Sequence, residues 1–132
     1  MKNGEFIYAK THAEFLNKVF GTHYKSWMKS VWTYNEDMIV WMVRFDGVNR
    51  DGWRNVFESK GCIKEENVSH KKVWCNAPID STLGFKKLVI EVDDSGFSRR
   101  YIFRGVYLYN IEKSCPEFKR YYDKIADEFN IN

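Results

Sequence analysis

"KKLVIEVDDSGFSRRYIFRGVYLYN", residues 86–110, sets two apolar runs on either side of a polar turn. In the first run Leu88, Ile90 and Val92 alternate with Lys87, Val89, Glu91 and Asp93, the period of two by which a strand turns one face to a core. Ser95-Gly96 suits a two-residue primed turn, because glycine accepts positive φ. That turn predicts Val92 opposite Arg99, Ile90 opposite Tyr101 and Leu88 opposite Phe103. Glu91 then faces Arg100, a cross-strand charge pair worth ~0.2–1 kcal/mol. Tyr101, Phe103, Tyr107 and Tyr109 form the inner row, and Gly105 leaves a side-chain-sized gap in it. A glycine inside a strand marks a bulge, a bend or the close approach of another group; bulge or bend is the expectation. Arg100 and Arg104 lie on the opposite face with Ile102, Val106 and Leu108, a face too apolar to stand bare in water.

Helical patterns flank this hairpin on both sides. In "THAEFLNKVFG", Thr11 and Glu14 have capping-box spacing, Gly21 suits a left-handed C-terminal turn, and Phe15, Leu16, Val19 and Phe20 share a face. "THYKSWMKSVW" follows with Tyr24, Trp27, Met28 and Val31 at helical spacing, which predicts a second helix. Its polar side offers only serines and two lysines, too little for a base-reading helix-turn-helix. "SCPEFKRYYDKIADEF" has Ser114 and Glu117 as a second capping box and a stripe of Phe118, Tyr121, Tyr122, Ile125 and Phe129, which predicts a C-terminal helix. Between these, "MIVWMVRF" reads as a strand buried on both faces and stopped by Asp46-Gly47, with "GWRNVF" as its returning strand. Lys60–Leu83 carries the weakest pattern; "VSHKKVWCNAPID" within it reads as an edge strand ending at Pro78.

Composition bounds the function. The 132 residues are 44% hydrophobic and 30% charged, enough for one core without disulfides, so 1–132 is taken as a single domain. Aromatics reach 17%, with five tryptophans, a content that serves a β core and also stacking on bases or protein interfaces. A net charge of +3 permits a nucleic-acid partner without demanding one. Three cysteines without a CxxC pair fit a reducing compartment, and no apolar run matches a signal peptide or a membrane span, so the expectation is a cytoplasmic protein with no membrane partner.

Catalytic motifs are missing from the sequence: there is no GxSxG, Walker loop, GxGxxG or HExxH. His12, His23 and His70 stand in unrelated contexts, and Cys62, His70 and Cys75 match no common zinc spacing, so neither a metal nor a cofactor is expected. A binding surface remains. "DGVNRDGWRN" (46–55) brings together Asn49, Arg50, Trp53, Arg54 and Asn55, the cation, amide and indole that hold phosphates, read base edges and stack on rings. An ordinary polar turn anchored by one buried tryptophan would look the same.

"RRYIFRGVYLYN" followed by "YYDKIADEF" resembles the closing part of PUA-like domains, the superfamily that includes SRA-type readers of modified bases in bacterial restriction systems. The resemblance covers the last third of the chain. It implies a small curved sheet or partial barrel that binds a nucleobase flipped out of a duplex. It also implies a strand at "YYDKIADEF", where the caps and spacing predict a helix. The resulting expectation is an α+β domain: a bent antiparallel sheet of about five strands or a partial β-barrel, with two N-terminal helices and one C-terminal helix. Its expected role is non-enzymatic binding of nucleic acid or a nucleotide-like ligand. Trp53, Asn55, Tyr101, Phe103, Gly105 and Tyr107 are the candidate base contacts, and Arg50, Arg54 and Arg99 the candidate phosphate contacts. The competing expectation is a protein-interaction module, an accessory or phage-defence protein whose exposed aromatics form an interface.

Overall fold

The computed structural model describes residues 1–48, 52–68, 84–115 and 118–131. Its elements in chain order are β1 (Phe6–Tyr8), α1 (His12–Phe20), β2 (Val31–Thr33), β3 (Met38–Val43), β4 (Trp53–Ser59), β5 (Cys62–Asn67), β6 (Lys86–Asp93), β7 (Arg100–Tyr109) and β8 (Lys119–Ala126). The strands form one open, bent sheet in the order β2-β3-β6-β7-β8-β5-β4, with β1 on the free edge of β7. It is mixed rather than purely antiparallel, since β3 and β6 run parallel. Among the described residues no helix is long and apolar enough to cross a membrane.

The β6–β7 hairpin forms as a pair, but its register lies two residues from the expected one. Val92 faces Tyr101, Ile90 faces Phe103 and Asp93 faces Arg100. Asp93 accounts for the slip: its Oδ1 accepts from both Ser95 N (2.9 Å) and Ser95 Oγ (2.6 Å), an Asx turn that widens the loop to residues 94–99. The charge pairs slide with it, to Arg100 on Asp93 and Arg104 on Glu91. An even shift leaves each side chain on its expected face up to Gly105.

At Gly105 the faces exchange. Val89 pairs Gly105 while Ile90 pairs Phe103, so Arg104 is an extra residue in β7. Gly105 has φ +113°, and a Cβ there would stand 2.8 Å from the Ala126 carbonyl oxygen. The glycine therefore holds a bulge, with β8 lying where a side chain would go. Tyr101 and Phe103 pack under α1 with Phe15, Leu16, Val40 and Ile90, whereas Tyr107 joins Trp41, Val89 and Tyr122 on the other face, with Tyr109 against them. The expected single aromatic row is thus two half-rows on opposite faces.

One of the three expected helices is present. Thr11 Oγ1 accepts from Glu14 N (3.1 Å) and Gly21 closes α1 at φ +71°. Residues 22–30 do not continue as a helix, because Asn17 ties the chain down: its side chain bonds Tyr24 N and Tyr24 O (2.9 Å each) and accepts from Thr22 Oγ1 (2.7 Å). Val31–Thr33 then adds a strand to β3. The C-terminal helix is strand β8. Ser114 Oγ, expected to cap a helix, donates to Asn110 O (2.6 Å) and accepts from Tyr121 N (2.9 Å), stapling the β7–β8 connection instead. β8 fills the gap between β5 and β7, so both of its edges are paired and tertiary pairing overrides helical spacing. β3 is buried along its whole length, as expected, but "GWRNVF" in β4 pairs with β5 rather than returning along β3. The expected edge strand at "VSHKKVWCNAPID" lies mostly outside the described residues, as do His70 and Cys75.

Candidate nucleobase cleft

β4 alternates Trp53 and Asn55, both buried, with exposed Arg54. Curvature of the sheet turns that inward face toward β3. Asn55 sits directly across from Glu65 on β5, and Glu65 across from Arg120 on β8, so three polar side chains form a row on the concave face. Arg120 approaches Glu65 Oε1 at 3.6 Å and lies over the Trp53 ring at 4.5 Å. Tyr122 donates from its hydroxyl to Glu65 Oε1 (3.3 Å) and packs 5.2 Å from Trp41. Burial pushes the Glu65 pKa above its usual value despite the opposing pull of Arg120 and the Tyr122 hydrogen bond. Burial, reinforced by the Glu65 carboxylate, also raises the Tyr122 pKa well above that of a free phenol, so Tyr122 remains a donor.

Above this row a cleft of about 470 Å³ opens between β3 and β4, lined by His12, Trp41, Arg44, Val48, Asn55 and Glu65 among others. Asn55 is 5% exposed, and its Oδ1 has no hydrogen-bond partner among the described residues. His12 anchors the rim through Nδ1 to the Tyr101 hydroxyl (2.8 Å); burial, then the charges of Arg44 and Arg99, lower its pKa and favour the neutral ring. A second cleft of about 520 Å³ lies at the C-terminal ends of β3, β4 and β8, lined in part by the stacked pair Phe45 and Phe57. Two of its cations are already engaged, Arg104 by Glu91 (2.8 Å) and Lys124 by Asp127 (2.9 Å). The smaller cleft, with an unmet acceptor in its wall, is the better ligand site.

The SET and RING associated (SRA) domain model matches residues 2–131. The chain belongs to the SRA family. In fold this SRA domain is similar to the 5-hydroxymethylcytosine-specific restriction enzyme AbaSI, with a TM-score of 0.68 at 18% identity, covering 94% of this chain and 39% of the enzyme's. No curated protein matches.

The candidate residues of this SRA domain divide by location. Asn55 lines the cleft, and Trp53 is buried two residues away beneath Arg120. Tyr101 reaches the rim only through His12, Phe103 is core, Gly105 is the bulge, and Tyr107 lines the second cleft. Arg99 is tied to Asp94 (2.6 Å) and to Lys10 O (2.9 Å), while Arg54 is exposed, 3.9 Å from Asp46. Arg50 lies outside the described residues. Sequence reasoning passed over Trp41, Glu65, Arg120 and Tyr122. Glu65 was hidden in "CIKEEN", whose charges look like a solvated run although Ile63, Glu65 and Asn67 alternate inward. Tyr122 lies on the stripe that predicts a helix.

Proposed function

We propose that this SRA domain reads one nucleobase turned out of DNA and seated in the cleft between β3 and β4. The Asn55 amide carries the proposal: a buried acceptor without a donor costs ~1–3 kcal/mol, which a ligand N–H would recover. Glu65 stands beside it as a second acceptor. Two adjacent acceptors suit a base edge that presents an exocyclic amino group, as carboxylates do for N4 of cytosine and amides for adenine. Trp41 supplies an aromatic wall for the base. Membership of the SRA family and the specificity named for AbaSI favour cytosine modified at C5 among amino-bearing bases. Arg54, which is exposed, and Arg50 are the proposed phosphate contacts, joined by Arg44 and Arg99 where a phosphate displaces Asp94 from them. The role proposed for the chain is recognition; cleavage is not assigned to it.

Fluorescence anisotropy with three duplexes that differ at one base tests this: cytosine, 5-methylcytosine and 5-hydroxymethylcytosine. The reading expects about tenfold or greater preference for a modified duplex, the effect of one added contact to the substituent at C5. Equal affinity for all three would sink it, and absence of binding at low salt would favour the protein-interaction reading.

A further inference from the structure

The second cleft, of about 520 Å³, holds a polar group that the fold leaves unused. Tyr107 is 1% exposed and lines this cleft, and its hydroxyl has no hydrogen-bond partner among the described residues. The Tyr109 hydroxyl also lacks a partner but is sealed from solvent, whereas that of Tyr107 opens to the cleft. Burial, then the charge of Asp127, pushes the Tyr107 pKa up to about 12, so the group stays a neutral donor. Lys124 stands directly across from Tyr107 on β8, and Arg104 precedes it on β7. Both cations keep donors in reserve. Glu91 holds Arg104 through Nε (2.8 Å), which leaves its Nη groups, and Asp127 takes one of the three donors of Lys124 (2.9 Å). Lys60, in the β4–β5 turn, adds a third cation to the lining. Phe45 and Phe57 stack at 4.1 Å in the same cleft, and Phe57 is 39% exposed, so part of its ring is uncovered.

A buried donor left without an acceptor costs free energy that a ligand oxygen would recover. Donors from a hydroxyl, a guanidinium and two ammoniums suit a phosphate, and an open aromatic pair suits a base by stacking. The carboxylates Asp46 and Glu91, with Asp127 on Lys124, offset the cations, so one small phosphate matches the cleft better than a long polyanion. We propose that this cleft binds a nucleoside monophosphate, its base on Phe57 and its phosphate among Arg104, Lys124 and Lys60, where it accepts from the Tyr107 hydroxyl. The site is separate from the Asn55 cleft and does not rest on the base-reading function. Along β3 and β4 the inward residues pass from Trp41 and Asn55 in one cleft to Phe45 and Phe57 in the other.

Isothermal titration calorimetry of the full chain with adenosine monophosphate, adenosine and inorganic phosphate tests this. The monophosphate is expected to bind at least about tenfold more tightly than either fragment. Tyr107→Phe removes only a hydroxyl that the fold does not use, so it should melt like the parent and bind the monophosphate about tenfold more weakly. Lys60→Ala, a change on the exposed turn, should weaken the monophosphate and leave adenosine as it is, an arm that stands even if Tyr107→Phe is destabilised. Asn55→Ala should leave the monophosphate unaffected. No binding of the monophosphate, equal binding of adenosine, or full affinity retained in both Tyr107→Phe and Lys60→Ala overturns the inference. Loss of the monophosphate in Asn55→Ala overturns it as well, because the nucleotide would then sit in the base cleft.

Discussion

At the scale of single residues, the cleft is defined by groups whose polar needs the fold leaves partly unmet. Asn55 Oδ1 has no partner among the described residues, and Glu65, though paired with Arg120 and Tyr122, is largely buried. The Glu65 side chain is 12% exposed beside Arg120, and burial holds its pKa above the ordinary 4.5. A carboxyl with a raised folded pKa binds protons more tightly in the folded state, so folding stability falls as pH rises from about 4.5 through the folded value. Glu65→Gln removes that component. Chemical denaturation between pH 4.5 and neutrality should show the stability of Glu65→Gln rising relative to the parent with pH, whatever its starting offset; parallel curves would contradict the assignment. The carboxylates of the β6–β7 turn act with the opposite sign. Asp93 and Asp94 are held below the usual range, Asp93 first by Ser95 and then by Arg100, and Asp94 by Arg99. Their contribution is present above the unfolded value of 3.8 and is lost as pH falls through the folded value, so the ion pairs that fasten this turn are lost in acid.

At the scale of elements, Gly105 decides which tyrosines share a face. Gly105→Val sets a β-branched residue at φ +113° against the Ala126 carbonyl, and should lower stability by about 1–3 kcal/mol. Thermal melts measure this, and a variant that melts like the parent would mean β7 does not bulge there. The sequence marked this glycine as a break in the strand but could not show that the break reverses the faces, because a bulge becomes visible only against the partner strand. Helix α1 was legible because its caps are local: Thr11, Glu14 and Gly21 act within one element. The C-terminal segment was misleading for the complementary reason. Ser114 bonds backbone groups at 110 and 121, and the edges that β8 satisfies belong to β5 and β7, far off in sequence. Of the cleft, the sequence pointed to Asn55 with Trp53 behind it; Glu65 meets Asn55 through the β4–β5 register, and Trp41 only through the curvature of the sheet.

At the scale of the whole molecule, a curved sheet carries an amide and a carboxylate in a cleft, and cationic side chains on the rim. Phosphate contacts from the rim imply salt dependence: each one removed should lower the log–log slope of affinity against salt by about 0.9 on duplex DNA. Arg54→Ala, whose side chain is 48% exposed, should do this while leaving the preference for a modified base intact. An unchanged slope would take Arg54 off the interface. The most direct test of the account is the ratio of affinities for a 5-hydroxymethylcytosine duplex and its unmodified twin, measured at one salt concentration for the parent and for Asn55→Ala. The account predicts a ratio of about ten or more in the parent, and in Asn55→Ala a loss of affinity for both duplexes, since both bases present the N4 amino group. Unchanged affinity for both duplexes in Asn55→Ala, or a parent ratio near one, would contradict it.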